Sequence, residues 1–182
     1  MSLGTRANRL LLPPGIRPPG EINVVVEIPR GSRNKYEYDA QLDIFRLDRN
    51  LHSAIYYPGD YGFVPQTRAR DGDPLDVLVL VENPSFTGCL LSVRPIGVLR
   101  LVDEGTPDDK IIAVPLGEPQ FADVSDYRQA SPHVIREIEH FFETYKTLEG
   151  KDAHSEGWQD AEAARGVVEE ALAAFARLQP QV

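Results

Sequence analysis

Residues 71–81 read Asp-Gly-Asp-Pro-Leu-Asp-Val-Leu-Val-Leu-Val, an acidic turn that runs directly into an apolar strand. Gly72 permits a tight backbone and Pro74 fixes a bend in this turn. Alternation along the strand places Asp76 and Leu78 on one face. The stretch therefore predicts a buried strand whose polar end carries carboxylates to the mouth of a β-structure.

Similar short apolar runs lie on both sides of this stretch, between Ile22 and about Glu118, and Pro, Gly and Asp residues divide them. No helical pattern separates the runs, which favours a small closed barrel over a sheet built from βαβ units. The predicted strands cover residues 22–28, 36–38, 44–47, 77–81, 90–93, 96–102 and 111–114, with a hairpin turn over residues 40–43.

Helical periodicity is confined to the C-terminal part of the chain. Ser131 is a suitable N-cap with a proline next to it, and apolar residues recur at helical spacing until Gly150. A second amphipathic pattern runs from about Asp160 to Leu178, although Gly166 in its interior costs about 1 kcal/mol relative to alanine. The predicted fold class is therefore mainly β with α (α+β), a closed β-barrel flanked by C-terminal α-helices.

The chain has 182 residues, with 28 Asp or Glu against 19 Lys or Arg, so its formal net charge is −9. Its length suits one domain, and 42% hydrophobic and 26% charged residues argue against a disordered or fibrous chain. A surface of this charge repels nucleic-acid phosphates and anionic lipid headgroups. The composition therefore argues against nucleic-acid and membrane partners.

The cysteine content and the N-terminus bear on compartment and organisation. Cys89 is the only cysteine, so no intramolecular disulfide can form, and a reducing cytoplasm fits best. The apolar run Leu10–Leu12 is too short for a signal sequence or a membrane span. Residues 1–20 are rich in proline and predict an arm that is mobile or docks on a neighbouring subunit, which leaves residues 21–182 as a single domain.

Two acidic segments are candidates for metal binding, and the first is the turn quoted above. Its i, i+2 spacing turns Asp71 and Asp73 the same way, and three carboxylates in six residues favour a cage for a hard divalent cation. A solvated acidic turn is the alternative. An EF-hand is disfavoured because Leu75 occupies a ligand position and Asp76 stands where glycine is required.

The second acidic segment follows the strand that ends at Val102 and contains Asp103, Glu104, Asp108 and Asp109. An ordinary polar loop explains such a segment when it is taken alone. If the two acidic loops converge, however, their oxygen ligands hold more than one Mg²⁺, an arrangement that activates water and neutralises phosphoryl oxygens.

Cationic and phenolic side chains in three further segments are candidates for binding an anionic substrate. Lys35 precedes one predicted strand and Arg49 ends the next, while Lys146 follows Tyr145 on the first helix. Residues 56–65 contain four aromatic residues, two glycines and two prolines. The alternative for residues 56–65 is a packed loop. The alternative for the helix is that Tyr145 lies in the core and Lys146 in solvent.

Taken together, these segments resemble the family I soluble inorganic pyrophosphatases of bacterial type over residues 22–164. The hexapeptide at residues 71–76 is similar to the signature of that family. The other similar segments, in the same order as in the family, are Val26-Glu27-Ile28-Pro29, Lys35-Tyr36-Glu37, Tyr57-Pro58 to Tyr61-Gly62, Arg94-Pro95-Ile96-Gly97-Val98-Leu99, His140-Phe141-Phe142-Glu143 with Tyr145-Lys146, and Glu156-Gly157-Trp158.

The resemblance implies an OB-like five-stranded barrel that hydrolyses inorganic pyrophosphate to two orthophosphates with Mg²⁺. It implies that Asp73 is the general base for the attacking water. The metal ligands that it implies are Asp71, Asp76, Asp108, Asp103 and Glu27. The substrate-binding residues that it implies are Lys35, Arg49, Tyr61, Tyr145 and Lys146, supported by Tyr57, Lys110 and Glu37. Members of bacterial type are commonly homohexamers, which implies the same assembly here.

The histidines and the cysteine are given structural roles. For the histidines, the reason is that imidazole suits softer metals than an oxygen-rich site holds. These residues are His52, His133, His140 and His154, with His140 a candidate for a subunit contact, and Cys89, which is expected to pack.

Two other functions stay open at this point. A non-catalytic OB-like barrel binds single-stranded nucleic acid or oligosaccharide, but this chain lacks the basic groove that should accompany its aromatic residues. A metal-dependent hydrolase of nucleotides or other phosphoanhydrides shares the metal site and differs in pocket size. Seven acidic and four basic residues leave the predicted site at −3 without metal, so activity is expected to depend strictly on Mg²⁺.

Overall fold

A ring of hydrogen-bonded strands forms the centre of the computed structural model, which describes residues 8–178. The strands in this part of the chain are β1 (Ile22–Ile28), β2 (Asn34–Asp39), β3 (Ile44–Asn50), β4 (Asp60–Phe63), β5 (Asp76–Val79), β6 (Leu90–Asp103), β7 (Thr106–Pro107), β8 (Lys110–Pro115) and β9 (Ala153–Gln159). The helices are α1 (Pro132–Thr144), before β9, and α2 (Ala161–Ala176), after it. No helix among these residues is both long and apolar enough to cross a membrane.

Five of the strands close the ring. β1 pairs with β4, β4 with β5, β8 with β6, and β6 returns to β1, all antiparallel, whereas β5 and β8 are parallel. β9 adds to β6, and β2 pairs with β3 in a separate two-stranded sheet. The predicted closed barrel of five strands with C-terminal helices is confirmed.

The longest strand, β6, is continuous where the sequence predicts two runs separated by Arg94 and Pro95. The register of its pairing with β8 shifts between Pro95 and Gly97, which marks an irregularity in the ladder. Proline lacks a donor for the ladder and is tolerated at such a bulge. The strand therefore continues to Asp103, in the second acidic segment.

Alternation along β5 sends its side chains to two different hydrophobic clusters. Val77 and Val79 lie in a cluster that includes Val168 of α2, while Leu78 belongs to the cluster that includes Phe142 of α1. Each of these five side chains is at most 1% exposed. The two faces of β5 thus pack in separate clusters, one of which includes α1 and the other α2, and a strand buried on both faces reads as a continuous apolar run.

Helix α1 ends at Thr144, so its predicted extension to Gly150 is wrong. A 3₁₀ turn follows over Thr147–Glu149, and Gly150 closes it with a φ of +74°, in the left-handed region that favours glycine. Helix α2 begins next to its predicted start, where the Asp160 carboxylate accepts a hydrogen bond from the Ala163 amide at 3.0 Å.

Three strands were not predicted from the sequence. β7 has only two residues and lies in the second acidic segment, where glycine and proline indicate a loop. β4 lies in the aromatic segment at residues 56–65, where glycine and proline obscure the strand pattern. β9 contains few apolar residues and joins the sheet beside β6 with a register shift near Arg100. β4 and β9 are defined by their partners and not by their own composition.

We predict that alanine substitutions at Gly62 and Gly166 have opposite effects on stability. A Cβ at Gly62 would lie 1.9 Å from the Val25 carbonyl oxygen of β1, so Gly62→Ala should lower the free energy of unfolding by about 3 kcal/mol or more. A Cβ at Gly166 meets no atom within 4 Å, so Gly166→Ala should raise it by about 1 kcal/mol. Urea unfolding of both variants measures this, and equal stability of Gly62→Ala and wild type would contradict the packing described here.

Candidate active site

A cavity of about 390 Å³ lies between the barrel and the β2–β3 hairpin. Strands β1, β2, β4 and the turn at residues 71–76 supply its walls. The predicted site residues that line it are Glu27, Lys35, Glu37, Tyr61, Asp71, Asp73 and Asp76. Seven residues from four separate segments of the sequence therefore meet at one opening.

The acidic turn is shaped by its own backbone. Gly72 has a φ of +99°, which a side chain rarely tolerates, and the Asp73 amide donates to the Asp71 carboxylate at 3.0 Å. The turn closes where the Ala69 amide donates to the Asp73 carbonyl at 2.7 Å. Burial raises the pKa of Asp73, and the nearby carboxylates of Asp71 and Asp76 raise it further.

Lys110 joins the two acidic loops. Its Nζ donates to Asp76 Oδ2 and to Asp108 Oδ1, both at 2.6 Å, and lies 3.2 Å from the Tyr61 hydroxyl. That hydroxyl donates to Asp76 Oδ2 at 2.5 Å. Lys110 is only 2% exposed, and although burial opposes its charge, Asp76 and Asp108 raise its pKa above the ordinary value. The two loops thus converge around a buried ammonium group.

Other carboxylates of the site are held in a low-dielectric environment. Burial raises the pKa of Glu27 to about 8, against the opposing hydrogen bond from the Tyr38 amide at 2.7 Å. Burial also raises the pKa of Asp108, and the charge of Lys110 only partly offsets this. Without further cations, the site is short of positive charge.

Lys146 and Asp103 form a second ion pair beside Tyr145. The Lys146 ammonium donates to Asp103 Oδ2 and lies 5.2 Å from the centre of the Tyr145 ring. The other carboxylate oxygen, Asp103 Oδ1, is buried and has no hydrogen-bond partner within residues 8–178. Such a buried oxygen without a partner is costly unless a ligand contacts it.

Arg49 is held by acidic neighbours that the sequence analysis did not single out. Its guanidinium makes two bonds of 2.9 Å to the Glu149 carboxylate, whose side chain is 8% exposed, and it also contacts Asp48. Lys35 pairs with Glu37 and lies 3.5 Å from Asp48. The predicted phosphate-binding cations thus already have carboxylate partners, and only the folded chain reveals those at Asp48 and Glu149.

Tyr57 and Tyr145 are nearly buried and belong to the aromatic layer under the site. The Tyr57 ring lies 5.4 Å from that of Tyr61 and 4.8 Å from that of Phe141. Tyr145 stacks on Phe141 at 5.2 Å. Burial raises the pKa of both phenols, so they stay protonated donors at neutral pH.

The donor set suits a hard divalent cation, because the clustered side chains offer oxygen and the four histidines are exposed. As the side chains are placed, no three acidic, His or Cys groups within residues 8–178 converge on one metal position. Asp76 and Asp108 turn to Lys110 instead. The unpartnered Asp103 Oδ1 is the clearest sign of a site that a cation would complete.

Comparisons with known proteins agree with this geometry. The family model described as inorganic pyrophosphatase matches residues 24–176. An inorganic pyrophosphatase from Methanosarcina mazei is 51% identical over 81% of this chain and 88% of its own length, and one from Nostoc sp. is 47% identical over 86% and 93%. The crystal structure of the inorganic pyrophosphatase from Thermus thermophilus superposes with a TM-score of 0.91 at 44% identity, covering 93% of this chain and 99% of that one.

These matches cover most of the chain, and they extend through α2, beyond the region in which the sequence motifs lie. They confirm the predicted resemblance, and with it the predicted enzyme class. The chain belongs to the inorganic pyrophosphatase family.

Proposed function

We propose that this chain hydrolyses inorganic pyrophosphate to two orthophosphates with Mg²⁺ as its cofactor. The observation that supports this most directly is the convergence of the two acidic loops on Lys110, next to a cavity lined by carboxylates, phenols and an ammonium group. Phosphoryl transfer needs positioning and charge neutralisation more than a covalent nucleophile, and these residues provide both.

The carboxylates would hold the cofactor and the general base would act beside them. When bound, Mg²⁺ would lower the pKa of the attacking water and neutralise phosphoryl oxygens. Asp73 accepts the proton of that water, and its raised pKa brings it closer to the working pH, as a general base requires. The residues that would hold Mg²⁺ are Asp71, Asp76, Asp108, Asp103 and Glu27.

The cations bind the substrate only after they exchange partners. Lys146 is paired with Asp103, and Arg49 with Glu149. Asp103 would hold Mg²⁺, and the Lys146 ammonium that now pairs with it would then be free to bind a phosphate oxygen. The residues proposed to bind phosphates are Lys35, Arg49, Tyr61, Tyr145 and Lys146, with Tyr57, Lys110 and Glu37 supporting them.

We also propose that the chain forms a homohexamer in the cytoplasm and binds neither nucleic acid nor membranes. His140 is exposed on α1, and Tyr56, 57% exposed, lines the same surface depression. Ile55 and Phe141 line the same depression, which makes it the candidate surface for a subunit contact. Sedimentation should give the mass of six chains, and a monomer at micromolar concentration would contradict this part.

The function is tested by phosphate release from pyrophosphate with and without Mg²⁺. We expect metal-dependent turnover in the wild type and a fall in kcat of about 10²- to 10⁴-fold in Asp73→Ala, because the general base is lost. Asp123→Ala, at an exposed loop aspartate, is the control and should match the wild type. A preference for a nucleoside triphosphate, or hydrolysis without added metal after chelation, would contradict the proposal.

We predict that Lys110→Met destabilises the metal-free protein by about 3 kcal/mol, because it leaves Asp76 and Asp108 close together without a cation. Mg²⁺ should restore part of this loss by neutralising the same carboxylates. Lys151→Met, at an exposed lysine, is the control and should change stability by less than about 0.5 kcal/mol. Thermal unfolding with EDTA and with Mg²⁺ measures both, and equal destabilisation by the two variants would count against the buried ammonium as the organising group.

A further inference from the structure

Residues 8–14, here called the N-terminal strap, lie against the domain and are fastened at three places. The Asn23 amide of β1 donates to the Pro14 carbonyl at 2.8 Å. The Gln66 amide donates to the Leu10 carbonyl at 2.9 Å, and its side-chain amide donates to the carbonyls of Leu11 and Leu12. The third anchor is Arg9.

Arg9 connects the strap to the β2–β3 hairpin. Its guanidinium pairs with Asp43 and lies 5.5 Å and 5.4 Å from the ring centres of Tyr38 and Phe45. The Arg9 amide donates to the Tyr38 hydroxyl at 3.0 Å, and that hydroxyl donates to Asp43 at 2.9 Å. One arginine thus makes an ion pair, two cation–π contacts and a backbone hydrogen bond with a single hairpin.

The hairpin needs such an anchor because, within residues 8–178, its two strands pair only with each other. An isolated two-stranded hairpin is marginally stable in water. This one carries Lys35, Glu37 and Arg49 of the proposed site, and the backbone amide of Tyr38 donates to the Glu27 carboxylate. Any loosening of the hairpin therefore displaces groups on two walls of the catalytic cavity.

The strap also reaches the cavity directly, since Leu10 is one of the residues that line it. We infer that the strap is a structural wall of the catalytic pocket and that Arg9 is a positioning residue for pyrophosphate hydrolysis. It acts through Tyr38 and the hairpin, and does not touch the substrate. This inference rests on the proposed function only for its kinetic consequence.

The experiment compares Arg9→Ala with Arg17→Ala. Arg17 has the same charge in the same region of the chain, but its side chain is 75% exposed and pairs with the nearby Glu21. We expect Arg9→Ala to raise KM for pyrophosphate about tenfold at saturating Mg²⁺ and to leave kcat within about twofold, because substrate-binding groups are displaced while Asp73 is not. Arg17→Ala should match the wild type in both constants.

Hydrogen–deuterium exchange of the hairpin, residues 34–50, gives a readout that does not depend on activity. Arg9→Ala should increase its exchange rate about tenfold and leave β6 protected, whereas Arg17→Ala should change neither. Arg9→Lys keeps the charge pair with Asp43 but loses the planar stack, so its KM should lie between those of the wild type and Arg9→Ala.

If Arg9→Ala does not fold, Tyr38→Phe is the second variant for the exchange experiment. It removes the hydroxyl that contacts the Arg9 amide and Asp43, retains the ring, and should reproduce the faster exchange. Unchanged exchange of the hairpin in these variants, or the same rise in KM in Arg17→Ala, would overturn the inference. A wild-type protein without pyrophosphate hydrolysis would instead contradict the proposed function, and the exchange experiment would still decide whether the strap holds the hairpin.

Discussion

The site depends on one buried cation, Lys110, placed between two carboxylates that would otherwise repel each other. A buried ion pair of this kind contributes little net stability, since the desolvation of its charges offsets most of their attraction. Its value lies in holding Asp76 and Asp108 side by side in a barrel that is apolar on both faces. The arrangement is therefore better explained by the metal binding proposed for these carboxylates than by their contribution to folding.

The parallel pairing of β5 and β8 explains why the two acidic loops meet. Val77 is paired with Ile111. The residues just before them, Asp76 and Lys110, therefore begin neighbouring strands at the same end of the sheet. In an antiparallel pair these two strand starts would lie at opposite ends. The loop that carries Asp108 leads into the second of these strands, and the topology of the ring thus brings both loops to one end of the barrel.

The sequence predicts the parts of the structure that carry their own pattern. The apolar run after Asp76 and the helical spacing of apolar residues in α1 identify elements directly, and the acidic turn indicates a cation site. β9 and the pairing of Arg49 with Glu149 were not predictable, because each depends on a partner about 50 or more positions away. The end of α1 was misplaced because the buried Tyr145 continues the apolar stripe beyond the last helical turn.

The pairing of each proposed phosphate-binding cation with a carboxylate bears on how the site exchanges its ligands. Lys146 pairs with Asp103, Arg49 with Glu149 and Lys35 with Glu37, while the remaining acidic residues keep the site short of positive charge. Under the proposed function, divalent cations would compete for the carboxylates and a phosphate anion would compete for the ammonium and guanidinium groups. Each exchange releases the partner that the other ligand needs, so metal and substrate binding should reinforce each other. Under the proposed function, the acid excess that repels free phosphates also supplies the carboxylates for the metal ions through which the site would bind them.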